Sequence, residues 1–273
     1  MGTKGKRSHP VHLGTMGWNH PDWVGPFYSD PRPGGRWLSQ YCKQFSVVEV
    51  QVPFPQGYKK DLLAQWSRST PMGFLFCFRF PWVAVKEALL GRSEPLYQLL
   101  DRFKVLGGHL GPFVFPVGQI EGVEKEDLPD LLAPFLKAWK KRYFPLFRLG
   151  LELTTPRLWT KGILGLMRRS GVGMVVNDVP WTPDPDQILG RSDLLTAGFS
   201  YIRLVGHPRE LPGGGESPYR KPLLDRTWKL KGWADWIRKA AWEMEVFALS
   251  ANSFSGYAPY TSRELRRILL EGE

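Results

Sequence analysis

Cysteine and long apolar runs are both scarce in this chain of 273 residues. Cys42 and Cys77 are the two cysteines, which excludes a disulfide scaffold and a four-cysteine zinc site and favours a reducing compartment. No stretch approaches the roughly 20 consecutive apolar residues that a transmembrane helix needs. No apolar run follows the basic residues of positions 1–10, as a secretory signal would require. We therefore predict a cytoplasmic protein that has no contact with a membrane.

Asparagine is also rare, with Asn19, Asn177 and Asn252 as its three occurrences. Avoidance of asparagine is typical of thermophilic proteins, and it makes the positions of the remaining three informative. Histidine occurs five times, without the HxH or HExxH spacing of common metal sites. We therefore predict no cofactor and no metal site.

Basic residues and tryptophan are abundant. Lysine and arginine together number 37 against 26 acidic residues, so the formal net charge is +11, and there are 12 tryptophans. This balance favours an anionic ligand or a polyanionic partner. It is equally compatible with charge that is spread evenly over a soluble surface.

Short apolar runs alternate with amphipathic stretches along the whole chain. Continuous apolar runs of this kind are typical of parallel strands that are buried on both faces. The runs that we predict as strands cover residues 11–18, 45–52, 73–80, 111–118, 147–154, 173–178, 199–206 and 244–252. Eight strands alternating with helices over about 250 residues predict a single TIM-like (β/α)₈ barrel.

The alternative is a doubly wound open sheet, which usually carries a glycine-rich phosphate turn after its first strand. Residues 14–18 read GTMGW and lack that pattern. We predict that residues 11–273 form one barrel domain and that residues 1–10 form a disordered basic tail that precedes it. Pro95 should break the helical pattern of residues 87–106, and the sixth crossover, residues 179–198, should be short or irregular. Thr261 and Glu264 indicate a capping box at the start of the last helix.

Polar side chains fall at the carboxyl ends of the predicted strands, which is where barrels place their active sites. Carboxylates inside apolar runs must be paired or neutralised if they are buried. The polar residues at these ends include Asn19, Glu49, Arg79, Glu152, Asn177, Asp178, Arg203, His207 and Asn252. Their convergence indicates either a binding site or a structural ion network that closes the top of the barrel.

Several motifs, taken in order, resemble the domain of unknown function 72 family (YecE-like proteins), a family of TIM-like barrels. The resemblance covers nearly the whole chain. Its motifs are Gly14–Trp18, Asp22-Trp23, Phe27-Tyr28, Phe45–Val50, Trp66 with Thr70-Pro71, Leu110–Pro112, Glu152 with Trp159, Asp178 with Pro180, Tyr201–Leu204 and Asn252 with Gly256–Ala258. The resemblance implies the barrel fold and implies no particular activity.

The chain departs from the family pattern at about half of the expected polar positions. Residues 51–55 lack the Asn and Tyr of an Asn-x-x-Phe-Tyr motif. The family usually has Lys at Arg79, Gln at Pro116, Arg at Thr154, His at Val205, and Phe-Asn-Asn at residues 250–252. We therefore identify the chain as a divergent member, with either a changed ligand or a pocket that has lost its activity.

We predict a pocket at the carboxyl ends of the strands and assign roles to its residues. Arg79 and Arg203 would bind a phosphate-like or sugar-phosphate-like anion, and Glu152 or Asp178 would act as general base, with Glu49 as a third catalytic candidate. The remaining ligand-binding candidates are Trp18, as an apolar wall, Asn19, His207, Asn252 and Tyr257.

Two other functions stay open at this point, as do the oligomeric state and whether the chain is an enzyme. Basic and aromatic residues interleave in 137–148 and 226–242, a mixture that could bind nucleic acid. The purely structural interpretation is that these are outer helices whose tryptophans pack on the sheet, namely Trp228, Trp236 and Trp242. A barrel retained for structure or for a protein partner would instead have a mouth filled by Phe54, Pro116 and Val205.

Overall fold

The structure is a computed structural model that describes residues 8–32, 35–215 and 219–271. Each described strand is hydrogen-bonded to the next in chain order, and β8 pairs with β1, so that a closed, all-parallel barrel results. The strands are β1 (Val11–Met16), β2 (Val47–Gln51), β3 (Leu75–Arg79), β4 (Leu110–Val117), β5 (Leu149–Leu153), β6 (Gly173–Asp178), β7 (Phe199–Leu204) and β8 (Glu245–Ser250). This arrangement confirms the predicted TIM-like barrel.

Helices follow the strands and cover the outside of the barrel. They are α1 (Gly35–Tyr41), α2 (Lys60–Arg68), α3 (Trp82–Leu89), α4 (Glu94–Phe103), α5 (Leu128–Tyr143), α6 (Lys161–Ser170), α7 (Pro185–Ile188), α8 (Thr227–Ala241), α9 (Asn252–Ser255) and α10 (Ala258–Glu271). The sixth crossover contains the four-residue α7 and a single 3₁₀ turn at Ser192–Leu194, which confirms the predicted short and irregular connection.

The structure confirms one predicted helix boundary, at Pro95, and corrects another, at Thr261. Pro95 lies in the first turn of α4, where its missing N–H costs nothing, so the predicted break separates α3 from α4. The predicted capping box at Thr261 is wrong. Thr261 lies inside α10, and its hydroxyl donates to the carbonyl of Tyr257 at 3.4 Å. The helix begins earlier because the Oδ1 of Asn252 accepts the N–H of Ala258 at 3.0 Å.

Side chains alternate between the inside and the outside of the barrel along each strand, because successive residues of a strand point to opposite faces. Inside, a small cluster of buried side chains fills the barrel: Val47, Cys77, Val114, Val175, Phe199, Tyr201, Phe247 and Leu249. Outside, a much larger aromatic core lies between sheet and helices, with Trp23, Trp37 and Trp233 at most 1% exposed. The barrel is therefore a packed scaffold, and open space is left at the ends of its strands.

The amino-terminal end of the barrel is closed by its own ion cluster. The Nε2 of His12 lies 2.7 Å from Oε1 of Glu245, and Arg148 pairs with the other oxygen of that carboxylate. The His12 ring stacks on Phe247 with 4.8 Å between centroids. A ligand in the barrel would therefore have to enter from the opposite, carboxyl end.

Most of the predicted basic tail, residues 1–10, lies outside the described residues, and the division into tail and domain stays a prediction. At the end that is described, the N–H of His9 donates to the carbonyl of Ala241 at 2.7 Å. The carbonyl of Pro10 accepts from the N–H of Val246 at 3.0 Å. None of the described helices has the length and apolarity needed to cross a bilayer.

Candidate functional site

The carboxyl ends of the strands bring five polar side chains together inside the barrel; we call this end the mouth. Every second residue points inward, so Glu49, Arg79, Glu152, Asn177 and Arg203 all converge from β2, β3, β5, β6 and β7. Asn177 is paired in register with Arg203 on neighbouring strands. The convergence that the sequence predicted for Glu49, Arg79, Glu152 and Arg203 is present.

Arg203 is the centre of this network and is 7% exposed. Its Nε and Nη2 donate to the two oxygens of Glu49 at 2.9 and 2.8 Å, a bidentate pair. The hydroxyl of Tyr201, two residues earlier on the same strand, donates to Oε2 of Glu49 at 3.0 Å. Glu49 is therefore held by β7 alone through three donors.

Glu152 receives the remaining donors of the network. Its Oε2 accepts Nε of Arg79 at 2.6 Å, and its Oε1 accepts Nδ2 of Asn177 at 2.7 Å and Nη1 of Arg203 at 3.2 Å. Because Arg203 bridges Glu49 and Glu152, the two carboxylates belong to one connected network.

The charges of the network balance, two guanidinium groups against two carboxylates. Burial alone would raise the pKa of Glu152, but the attraction of Arg203 and Arg79 outweighs burial and leaves that pKa below its ordinary value. A carboxylate with a lowered pKa and both oxygens occupied is a poor proton acceptor. The geometry therefore fits the structural ion network better than the predicted general-base role of Glu152. The predicted anion binding by Arg203 would require a ligand to displace these carboxylates, whereas Nη1 of Arg79 donates to Oε1 of Gln51 at 3.5 Å.

An open cleft of about 530 Å³ lies beside this network, between the loops that follow β1 and β2. It is lined by Met16, Gly17, Trp18, Asn19, His20, Glu49, Val50, Gln51, Tyr58, Trp66 and Arg203. Trp18, Asn19, Glu49 and Arg203 were predicted to line the pocket, and the structure places them here. The apolar plug of Phe54, Pro116 and Val205 is not part of this lining as the structure describes it.

Aromatic rings form one wall of the cleft. The Trp18 and Trp66 rings meet edge to face, with centroids 5.0 Å apart and an interplanar angle of 87°. The Tyr58 ring also meets Trp66, with centroids 5.0 Å apart, and its hydroxyl donates to the carbonyl of Gln51 at 2.8 Å. Trp66 also stacks on buried Phe76 at 5.6 Å, so the wall is anchored on β3.

His20 also lines the cleft, and its ring is oriented by Asn252. The Oδ1 of Asn252 accepts two hydrogen bonds, from Nε1 of Trp23 at 3.2 Å and from the N–H of Ala258 at 3.0 Å. Its Nδ2 must then donate to Nδ1 of His20, at 3.4 Å. Burial lowers the pKa of His20 below its ordinary value of 6.5, so the ring is neutral near pH 7. Asn252 was predicted to bind ligand. In the structure it is not among the residues described as lining the cleft, and it orients His20 through a hydrogen bond.

Asp178 lies outside the mouth, and its predicted place in the pocket is wrong. It follows Asn177 directly, so its side chain points to the opposite face of β6, toward α8. There its oxygens accept Nζ of Lys229 at 2.8 Å and Nε1 of Trp233 at 2.7 Å. Lys229 also pairs with Asp184 at 2.9 Å. This buried cluster ties β6 to α8.

Tyr257 and His207 also lie apart from the cleft, which corrects their predicted place in it. Tyr257 is 5% exposed and packs edge to face on Trp23 at 6.3 Å, in the layer behind His20. His207 follows β7 on the other side of the mouth, where its Nδ1 accepts the N–H of Arg209 at 3.1 Å. Its ring meets Trp181 edge to face at 6.0 Å.

Seven cleft residues were missing from the predicted site, and four of them carry polar or aromatic side chains: His20, Gln51, Tyr58 and Trp66. Gln51 ends β2 and lies two residues beyond Glu49 on the same inward face, a spacing that could have identified it. Tyr58 and Trp66 lie in the loop and helix after β2, and nothing in their local sequence separates them from core aromatics. Among the described residues, no three His, Cys, Asp or Glu side chains are grouped as metal ligands would be.

The match to a known family spans almost the whole chain. Residues 12–273 match the family described as protein of unknown function DUF72. The chain belongs to the DUF72 family. This DUF72 protein is also similar to the UPF0759 protein YecE of Escherichia coli K12, with 27% identity over 153 residues. The matched region covers 56% of this chain and 51% of YecE, so the chain matches about half the length of that relative.

Two solved structures of DUF72 proteins resemble this barrel along its whole length. The protein from Thermotoga maritima superposes with a TM-score of 0.66 at 19% identity and covers 96% of this chain and 100% of its own. The protein from Enterococcus faecalis V583 superposes with a TM-score of 0.63 at 16% identity and covers 95% of each chain. At these identities the likeness shows the fold alone.

Proposed function

We propose that this DUF72 protein binds a small sugar in the cleft between the loops after β1 and β2. The observation that carries the proposal is the pairing of a tryptophan wall, Trp18 and Trp66, with a row of hydrogen-bonding groups in one cleft of about 530 Å³. That volume lies within the range of about 300–1,000 Å³ that is typical of small-molecule sites.

A sugar ring has one face of C–H groups and a rim of hydroxyls, and the cleft matches both. The negative face of an aromatic ring attracts the slightly positive C–H groups, so Trp66 would pack on the ring face. Gln51 and Asn19 carry amides that can both donate to and accept from hydroxyls. His20 would add an uncharged ring surface, since Asn252 and the carbonyl of Met16 already occupy its two nitrogens.

A neutral sugar fits the charges better than the phosphate-like anion that the sequence favoured. The cation in the described lining is Arg203, and its donors already serve Glu49 and Glu152. A phosphate would have to compete with those carboxylates and would lie close to Glu49, whose charge repels it. We therefore expect neutral sugars to bind at least as tightly as their phosphates.

Nucleic acid is the second candidate, and two exposed tryptophans favour it. Trp236 is 2% exposed and packs on the barrel, as the purely structural interpretation expected. Trp228 and Trp242 are 57% and 55% exposed, so they do not pack on the sheet. The Nζ of Lys229 lies 5.4 Å from the Trp228 ring centroid. These rings lie on and beside α8, on the outside of the barrel, so the two candidates occupy different surfaces.

Thermal-shift and calorimetric titrations with neutral monosaccharides, their phosphates and short oligonucleotides test the proposal. The proteins are wild type, Trp66→Ala, and Trp228→Ala as a control that removes an exposed tryptophan elsewhere. A ligand of the native state raises the melting temperature. We expect stabilisation by at least one neutral monosaccharide, lost in Trp66→Ala and kept in Trp228→Ala. Stabilisation by oligonucleotides alone, lost in Trp228→Ala and at high salt, would contradict the sugar proposal and support the second candidate.

A further inference from the structure

A second aromatic feature lies on the carboxyl face of the barrel, on the loops after β6 and β7. Trp181, three residues beyond the end of β6, is 57% exposed. It is nevertheless held in place, because its Nε1 donates to the carbonyl of Thr154 at 3.3 Å. The turn below it is fixed by Thr182, whose hydroxyl donates to the carbonyl of Asn177 at 2.7 Å.

His207 fixes the edge of this ring. The two rings meet at 75° with centroids 6.0 Å apart, and His207 is itself anchored through its Nδ1 by the N–H of Arg209. Since a hydrogen bond to an N–H makes Nδ1 the unprotonated nitrogen, the neutral ring carries its proton on Nε2. No described residue is hydrogen-bonded to that Nε2. We call these two side chains the rim pair.

The rim pair lies across the mouth from the cleft, since the cleft is formed after β1 and β2 and the rim pair follows β6 and β7 in the closed barrel. β6 and β7 are neighbours, and Asn177 is in register with Arg203, which lines the cleft. Trp181 follows Asn177 by four residues, and its anchor, Thr154, follows Glu152 by two. The mouth network of Arg203, Asn177 and Glu152 therefore separates the cleft on one side from the rim pair on the other.

A tryptophan that is fixed at its polar atom and bare on a face has the properties of a stacking platform. Exposure of so much aromatic surface is unfavourable, because burial of apolar area stabilises a folded protein. The hydrogen bond from Nε1 and the contact with His207 hold the Trp181 ring in place. Its exposed face has no partner among the described residues.

We propose that the rim pair is a second sugar subsite, so that the natural ligand is an oligosaccharide that crosses the mouth from the cleft to Trp181. Trp181 would stack on one ring of the chain, and Nε2 of His207 would donate to a hydroxyl of that ring. This inference rests on the proposed function, because it assigns the cleft to another ring of the same ligand.

The test is calorimetric titration of the full chain with glucose, maltose, maltotriose, cellobiose, cellotriose, xylose and xylotriose. The proteins are wild type, Trp181→Ala, Trp181→Phe, Trp66→Ala, and Trp228→Ala as the matched control, since Trp228 has the same 57% exposure on an outer helix. For one sugar series we expect the trisaccharide to bind more tightly than its monosaccharide. Trp181→Ala should weaken the trisaccharide about three- to tenfold and leave the monosaccharide unchanged.

Each further result supports or overturns the inference. Partial recovery in Trp181→Phe, with no effect of Trp228→Ala, supports stacking on the rim pair. If the monosaccharide binds and is lost in Trp66→Ala while Trp181→Ala changes nothing, the subsite is overturned and the proposed function stands. Equal weakening of mono- and trisaccharide by Trp181→Ala overturns the subsite as well. Absence of binding for every sugar overturns both proposals, and binding of oligonucleotides that Trp181→Ala abolishes would reassign the platform to nucleobases.

Discussion

Asn252 donates a hydrogen bond from Nδ2 to Nδ1 of His20 across 3.4 Å, and this contact decides which nitrogen of the histidine carries the proton. The amide cannot flip, because its Oδ1 already accepts from Trp23 and Ala258. His20 is therefore held as a neutral ring protonated at Nε2, which faces the carbonyl of Met16 at 3.3 Å. Asn252, at the start of α9, thus fixes the tautomer of His20, which lies in the loop after β1.

The first prediction concerns the protonation of His20. We expect its pKa to lie below the ordinary value of 6.5, because burial disfavours the charged ring. Nitrogen-detected NMR titration should show the Nε2-protonated tautomer at neutral pH. In Asn252→Ala, loss of the donor to Nδ1 should move the pKa upward and mix the tautomers. A wild-type His20 that titrates at 6.5 or above, or that carries its proton on Nδ1, would refute the orientation argued here.

The second prediction concerns Glu152 and acid stability. The folded pKa of Glu152 is lowered from 4.5, so its contribution to stability is complete above about pH 4.5 and is lost as pH falls through the lower folded pKa. Glu152→Gln should lower the free energy of unfolding at pH 7 by about 3–5 kcal/mol, because it leaves buried Arg203 and half-buried Arg79 short of a charge partner. The variant should also lose less stability than wild type as the pH falls below 4.5.

Urea denaturation over that pH range measures both effects. Glu243→Gln is the control, since Glu243 is exposed and its loss should change stability by less than about 0.5 kcal/mol. Equal acid sensitivity of wild type and Glu152→Gln would mean that another carboxylate controls unfolding.

The third prediction separates Asp178 from the site. Asp178→Asn should destabilise the fold by about 1–3 kcal/mol, because Lys229 loses one of its two carboxylates while keeping Asp184. Binding of a cleft ligand should be unchanged, measured below the melting temperature of the variant. A loss of affinity without a loss of stability would return Asp178 to the list of binding residues.

The fourth prediction concerns Gly206, which precedes the rim pair's histidine. Its φ is +61°, and a Cβ there would lie 2.6 Å from the Cα of Phe254. Gly206→Ala should therefore cost about 2 kcal/mol or more. Gly190→Ala is the matched control, since a Cβ at Gly190 meets nothing within 4 Å. Denaturation midpoints of the two variants measure the difference, and similar midpoints would show that the loop after β7 relaxes freely.

The amino-acid sequence alone is enough to predict the barrel. Eight apolar runs that alternate with amphipathic stretches predict eight buried parallel strands, because strands covered on both faces are apolar throughout. All eight observed strands overlap the predicted runs, from Val11–Met16 to Glu245–Ser250. The ion-pair partners at the mouth were also predictable as a set, since Glu49, Arg79, Glu152 and Arg203 each interrupt such a run.

Tertiary structure decided which of these groups are free and where the open space lies. Asp178 and Asn177 are adjacent in sequence, and only the strand's orientation in the barrel sends one to α8 and the other to the mouth. The sequence predicts Arg203 as an anion-binding residue. In the structure its donors are bonded to Glu49 and Glu152, which lie on other strands of the barrel. These contacts join residues 154 and 51 positions apart and depend on how the barrel closes, which no local pattern encodes. For the same reason Trp66, on α2, lines the cleft. Trp23, which belongs to a family motif, is instead fully buried.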